Sequence, residues 1–338
     1  MRTLISLALI FALATLAPAA PAPTDAKKER GQLDEDVKKA TANGLEWLAK
    51  QQNADGSFGD SRYPHNTAIT GFAILAFLSQ GHVPNQGKYG PEVAKACRFL
   101  LASAREDGYL VGTRGGNMYC HGMATLALSQ LWGMSGDEEI KKTLKKAVEL
   151  IVRSQADNGG WRYEPVPSGA DISVTIMQVM ALRGAKDSGL HVPDKTMKRA
   201  LDYINTCYDA GTGGYTYMPY NRQPGFARTA AGICVIKLAG EYDKNVDRSI
   251  EFLKRTMDRP NEHFWYGHYY ACHAMHQVGG KDWEDYYSSI KKKFLQMQSA
   301  DGSWSQRNDP NSAGPIYQTA IAVIALSVPT NYLPIFQR

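Results

Sequence analysis

Two kinds of apolar pattern alternate along the chain after about residue 33. Segments such as "TAITGFAILAFLSQG", "ISVTIMQVMALRGAK", "ARTAAGICVIKLAG" and "IYQTAIAVIALSV" carry few charges and many small residues. A helix that is apolar on most faces is buried on most faces. Between them run segments such as "DVKKATANGLEWLAKQQ" and "DEEIKKTLKKAVELIVRSQ", in which apolar residues recur every three or four positions among Lys, Arg and Glu. Each of these predicts a helix with one wet face. No period-2 run of convincing length interrupts the alternation, so the expected class is all-α.

The alternation is punctuated by a recurring turn. "WLAKQQNADGSFG" (47–59), "LIVRSQADNGGWRY" (150–163) and "FLQMQSADGSWSQ" (294–306) each end an amphipathic helix with a glutamine, an Asp/Asn-Gly turn and an aromatic residue. Weaker copies are "LLASAREDGYLVG" (100–112) and "INTCYDAGTGGYTY" (204–217), and a degenerate one is "LKRTMDRPNEHFWYG" (253–267). The aromatic anchors Phe58, Tyr109, Trp161, Tyr215, Trp265 and Trp304 mark six units of about fifty residues, the signature of a repeat architecture. The first element is a lone outer helix (about 34–52) and the last a lone inner helix (315–328). They complement each other, whereas an open solenoid needs polar caps at both ends. The expectation is therefore an (α/α)6 toroid of six inner and six outer helices spanning residues 34–330, with a tail at 331–338.

The first residues read differently. "MRTLISLALIFALATLAPAAPAPTDA" has one early cation, an apolar run from Leu4 to Leu16, then small residues and prolines. This is the pattern of a secretory signal peptide cut after Ala19, with 20–33 as a disordered linker. The run is too short to span a bilayer stably. The expected protein is exported, periplasmic or secreted, with no transmembrane segment and peripheral membrane contact left open. A net charge of +5 spread through the chain gives no nucleic-acid patch; the densest run, Lys291 to Lys293, lies on a solvent face. Cys97, Cys120, Cys207, Cys234 and Cys272 are odd in number and widely spaced, and read mostly as small apolar residues, with one or two bridges open.

Helix-end glutamine, glycine turn and aromatic residue resemble the QW motif of terpenoid cyclases, and the mature chain resembles the prenyltransferase and squalene-oxidase repeat family. A glutamine amide can stack on the ring and cover carbonyls at its helix end, so these motifs are expected to staple the ring. "MYCHGMATLALSQLWGM" and "WYGHYYACHAMHQVGGKDW" resemble segments of short exported bacterial toroids. That likeness implies a fold and a central cavity and leaves the reaction open. Hopene-type cyclases carry an Asp-x-Asp-Asp-Thr-Ala acid motif. Here "DISVTI" keeps Asp171 and Thr175 but places Ser173 at the proton donor's position, and a serine hydroxyl cannot protonate an alkene. Asp171 also reads as an ordinary helix N-cap.

Other candidates cluster at the N-terminal ends of the inner helices: His65, Asn66, Tyr119, His121, Asp171, Arg228, His268, Tyr269, Tyr270, His273, Tyr317 and Gln318. His121, Asp171 and His268 are the candidates for acid–base work. Tyr119, Arg228, Tyr269, Tyr270, His273 and Tyr317 are the ligand-binding candidates. His121 stands out because four sister helices carry Thr70, Thr175, Thr229 and Thr319 at that position; a buried, satisfied histidine is the competing reading. No cofactor is expected. Zinc on Cys120, His121, Cys272 and His273 is the weighed exception, disfavoured because the two segments lie on opposite sides of the ring. A small apolar, isoprenoid or lipid-like ligand in the cavity is the leading expectation, terpene cyclase- or prenyltransferase-like if catalytic. A sugar-active or other cavity enzyme comes second, since a glycosidase needs two facing carboxylates and only Asp171, with Glu164 and Glu262 in nearby loops, presents itself. A non-catalytic interaction scaffold comes third.

Overall fold

A computed structural model describes residues 32–112, 115–221, 223–240, 245–258, 263–305, 309 and 311–337. The leader and nearly all of the linker lie outside the described residues. Among the described residues the inner helices are α2 (Thr67–Ser79), α4 (Met118–Ser135), α6 (Ile172–Asp187), α8 (Phe226–Leu238), α10 (Phe264–Val278) and α12 (Pro315–Ser327). The outer helices are α1 (Glu35–Lys50), α3 (Gly90–Ala102), α5 (Glu138–Arg153), α7 (Asp194–Thr206), α9 (Asn245–Thr256) and α11 (Gly280–Met297). Each inner helix packs on the next, and α12 packs on α2, so the inner ring closes. This is the alternation predicted from the sequence.

The burial follows the patterning. All of α2 is buried, whereas α5 buries Ile140, Leu144, Ala147, Val148, Leu150 and Ile151 on one face and leaves its lysines outside. Three inner helices start on side-chain caps: Asn66 accepts from Ala68 and Ile69, Asn117 from Tyr119 and Cys120, and Asp171 from Val174. Each cap satisfies backbone N–H groups that have no helical partner and contributes about 1 kcal/mol. At its far end α4 stops where Gly136 turns left-handed, a conformation only glycine adopts cheaply.

The recurring turns fasten neighbouring outer helices. The amide of Gln155 donates to Gly159 O in its own turn and to Thr196 O of α7. Gln52 does the same with Gly56 and Glu92 of α3, and Gln298 with Gly302 and Ala40 of α1, which ties the last outer helix to the first. The amides therefore do not cover their own helix ends as expected. The indoles do that: Trp161 Nε1 donates to Ile151 O and Trp304 Nε1 to Phe294 O, both at 2.8 Å. The turn glycine is obligatory. At Gly159 φ is +92°, and a Cβ would lie 2.2 Å from Arg199 O of α7. Gly56, Gly108, Gly213 and Gly302 repeat this nesting against α3, α5, α9 and α1.

The junction of α9 with α11 differs. No glycine lies between α9 and α10, and Trp265, expected as the fifth turn anchor, sits inside α10 instead. Its ring packs on Phe294 at 5.2 Å, and its Nε1 has no protein partner. A cavity of about 290 Å³ lies at this junction, lined by Leu253, Met257, Met275 and Tyr286 with Lys254, Asp282 and Asp285.

After α12 a 3-10 turn (Val328–Thr330) leads to Asn331 at φ +52°, which reverses the chain. A second 3-10 turn (Pro334–Phe336) then packs against α4 and α6. The expected tail is thus inserted in the ring, with Leu333, Ile335 and Phe336 buried.

Candidate functional site

Asp171 caps α6, its Oδ1 accepting from Val174 N–H at 3.0 Å, while Oδ2 has no protein partner. Among the described residues it is the one buried carboxylate. Burial pushes its carboxyl above the ordinary aspartate range, against the pull of the Val174 N–H and of the Tyr217 hydroxyl beside it. A protonated carboxyl gains a donor that a carboxylate lacks. Tyr217 in turn bonds Tyr163 hydroxyl to hydroxyl at 3.0 Å, and Tyr163 reaches solvent. The site therefore runs from an exposed phenol to a buried acid.

Behind Asp171 the ring axis is filled by aromatic side chains from four inner helices. Phe72 meets Tyr269 and Tyr317 edge-on at 5.3 and 5.2 Å, and Tyr270 meets Tyr269 and Tyr266 at 4.9 Å each. Tyr119 of α4 and Tyr266 of α10 approach to 6.2 Å from opposite sides of the ring. The interior is narrower than a wide cavity would make it. Ser173 and Tyr270 stand beside Tyr266, and Tyr270 beside Tyr119, without hydrogen-bond geometry. The hydroxyls of Tyr119, Tyr266 and Tyr269 are buried with no protein partner. A buried hydroxyl left so costs about 1–3 kcal/mol, which native folds tolerate sparingly.

His121 and His268 face elsewhere. His121 Nδ1 accepts the Leu110 N–H at 3.1 Å, which makes Nε2 the donor to Ala147 O of α5 at 3.2 Å. The ring lies between the inner and outer helices and against Tyr109, away from the axis. Burial lowers its pKa to about 4. Thr70, Thr175, Thr229 and Thr319 accept the backbone N–H of the turn aromatics Phe58, Trp161, Tyr215 and Trp304, whereas His121 reaches further and accepts that of Leu110, one residue past Tyr109. His268 Nδ1 pairs with the Tyr286 hydroxyl of α11 at 2.7 Å, also on the outer side, and burial lowers its pKa to about 3. His273 lies flat on Phe336 with ring centres 3.4 Å apart.

The prenyltransferase alpha-alpha toroid domain model matches residues 26–168 and 169–334. The chain belongs to this family. Human lanosterol synthase is 29% identical over 141 residues, covering 39% of this chain and 19% of the synthase. Lanosterol synthase erg7A of Aspergillus fumigatus is 25% identical over 141 residues, covering 39% and 18%. The match spans about a fifth of those relatives. The type II terpene cyclase MstE from Scytonema superposes with TM-score 0.62 at 13% identity, covering 88% of this chain and 99% of that one. An α-1,6-mannanase from Salegentibacter sp. HEL1_6 superposes with TM-score 0.66 at 9% identity, over 88% and 99%.

Within this prenyltransferase-type toroid the expected residues divide into separate groups. Tyr119, Tyr269, Tyr270 and Tyr317 meet on the axis, and Asp171 adjoins them through Tyr266. His121 and His268 do not join them, because His121 Nε2 and His268 Nδ1 are directed at outer-helix partners and His121 Nδ1 at Leu110, while His268 Nε2 is buried without a protein partner. Arg228, a ligand-binding candidate, stands close enough to Tyr266 to act on its hydroxyl electrostatically, while its Nη2 donates to Gln223 O. Cys120, His121, Cys272 and His273 have four different neighbours: Asn66, Leu110 with Ala147, Tyr286, and Phe336. No group of three or more His, Cys, Asp or Glu that could hold a metal forms among the described residues. His65, at φ +52°, is bonded to Asp55 and Ser57 in the first turn, so it serves that turn. Sequence reasoning passed over Phe72, Tyr163, Tyr217, Tyr266 and Phe336. The tyrosines just before or at the start of inner helices were the available signal.

Proposed function

We propose that this toroid binds a small, largely apolar, isoprenoid or lipid-like molecule at the mouth where Tyr163, Tyr217 and Asp171 lead down to the axial aromatic cluster. The observation that supports the reading is the pairing of an aromatic lining, with three partnerless buried hydroxyls, and one buried acid held toward its neutral form. The rings supply apolar area at roughly 25 cal/mol per Å². The partnerless hydroxyls of Tyr119, Tyr266 and Tyr269 offer donors to one polar end, so the ligand is amphipathic rather than a pure hydrocarbon. The sequence relation to lanosterol synthases and the fold of MstE, solved in complex with geranylgeranyl dihydroxybenzoate as substrate, support the same ligand class. The mannanase likeness favours sugar chemistry less, because Asp171 has no second buried carboxylate to face it among the described residues. Action outside the cytoplasm belongs to the same proposal and rests on the leader-like residues 1–19. No helix among the described residues is long and apolar enough to cross a membrane.

The test is native mass spectrometry of protein purified from the exporting cell, with solvent extraction of bound lipid. Recovery of a prenyl or other lipid species in near-stoichiometric amount, lost in Tyr266→Ala, is the expected outcome. Recovery of no lipid, together with binding of mannooligosaccharides, would replace this reading with the second one.

A further inference from the structure

Glycine turns of the chain itself seal five junctions of the outer layer, and among the described residues none seals the junction of α9 with α11. The hollow of about 290 Å³ left there has two kinds of wall. Met275 and Tyr286 are buried and Met257 half-buried, which makes the interior apolar. The Tyr286 hydroxyl is taken by His268 at 2.7 Å, so the interior offers a ligand rings and thioethers rather than polar partners. Methionine side chains adapt to the shape of what they meet and favour contact with aromatic rings. An apolar cavity of about 150 Å³ takes one benzene ring, so this volume suits a two-ring group.

The solvent edge of the hollow is acidic. Lys254 Nζ is already shared between Asp282 at 2.6 Å and Glu251 at 3.0 Å. Lys281 pairs with Asp285 at 2.9 Å, and Glu284 adds to the negative field upon it. Two ammonium groups thus face a larger number of carboxylates. The Lys281 side chain is 82% exposed and that of Asp285 65%, so their contact is a surface ion pair that a better-placed cation displaces at little cost.

We propose that this hollow is a second binding site, one for an aromatic amine whose ring fills the methionine-lined interior and whose ammonium group pairs with the carboxylates at the edge, Asp285 first. The same ring carrying a carboxylate meets the negative edge and is rejected. The site lies in the outer layer, apart from the mouth at Asp171, and stands independently of the apolar-ligand reading above.

The experiment is isothermal titration calorimetry with tryptamine, indole-3-propionate and butylamine, which present ring with cation, ring with anion, and cation without a ring. Tryptamine is expected to bind saturably at one site, about tenfold or more tighter than either of the others. Asp285→Asn should close most of the gap between the amine and the acid. Met257→Trp, which fills the hollow from its half-buried wall, should abolish binding, and Met257→Phe keeps that test readable where the larger side chain does not fold. Tyr266→Ala, in the axial cluster, should bind tryptamine as the wild type does. Absence of saturable tryptamine binding overturns the site, as does equal affinity for the acid or for butylamine. Full binding by the Met257 variants, or its loss in Tyr266→Ala, places the amine elsewhere and overturns it as well. None of these outcomes bears on lipid recovered from the mouth.

Discussion

Replacing His121 with threonine, the residue its sister helices carry, separates a structural histidine from a functional one. The substitution leaves Leu110 N–H without an acceptor, at about 1–3 kcal/mol, and removes the bond to Ala147 O, about 1 kcal/mol. The variant is expected to be destabilised by about 2–4 kcal/mol at pH 7.5. The pH dependence is the sharper test. His121 has a folded pKa of about 4 against an ordinary value of 6.5. The folded state keeps the ring neutral while the unfolded chain takes up a proton, so the histidine's contribution is present above pH 6.5 and is lost as pH falls toward 4. A difference of 2.5 units at 1.36 kcal/mol per unit amounts to about 3 kcal/mol by pH 4. Urea denaturation of both proteins from pH 7.5 to 4, followed by far-ultraviolet circular dichroism, gives the difference directly. Acid effects from other groups are common to both and cancel. The stability gap should narrow by most of its width. A gap that stays constant across that range, or a variant as stable as the wild type but defective in ligand binding, would falsify the assignment of His121 as a staple.

The remaining predictions concern the acid, the turns and the indoles. Asp171→Asn keeps a side chain that caps α6 well but removes the ionisable group. A raised folded pKa makes the carboxylate cost stability above the ordinary aspartate range, so the variant should be the more stable at pH 8 and lose that advantage toward pH 3; the opposite trend in thermal melts counts against burial raising the Asp171 pKa. Gly159→Ala drives a Cβ into Arg199 O and should lower stability by several kcal/mol. Gly115→Ala, at φ +81° with nothing within 4 Å, should cost only the roughly 1–2 kcal/mol of the backbone conformation. Equal losses at the two sites refute the nesting of turn on helix. Trp304→Phe deletes the donor to Phe294 O and should cost about 1 kcal/mol in denaturant titrations.

The fold was legible because it depends on periodicity. An inner helix buried all round and an outer helix wet on one face differ in composition at every turn, and a lone helix of each kind at the two ends implies closure. The fifth unit was misread because an aromatic residue at the right spacing does not reveal whether a turn precedes it; with no glycine before Trp265, the helix simply starts earlier. The site was legible only in part. The axial tyrosines could be found because they cluster at helix starts. The direction of His121 could not, since a helix position fixes a face only to within a neighbour, and a histidine can do a threonine's work by reaching further. Phe336 gave no signal because nothing in an irregular tail states that it folds back.

The junction of α9 and α11 gives the ring an asymmetry under load. Elsewhere along the outer layer, adjoining helices interlock by shape, through glycines set too close to a carbonyl for any other residue, and shape is indifferent to ions in solution. Here the direct link is Lys254 with Asp282 at 2.6 Å, partly exposed, beside a hollow. Such pairs are worth at most about 1 kcal/mol and fade as salt is added. A closed ring must part somewhere first. In this one the outer seam between α9 and α11 lacks that interlock while α8 and α10 beneath it stay packed on each other, so added salt is expected to loosen the outer seam and leave the inner ring closed.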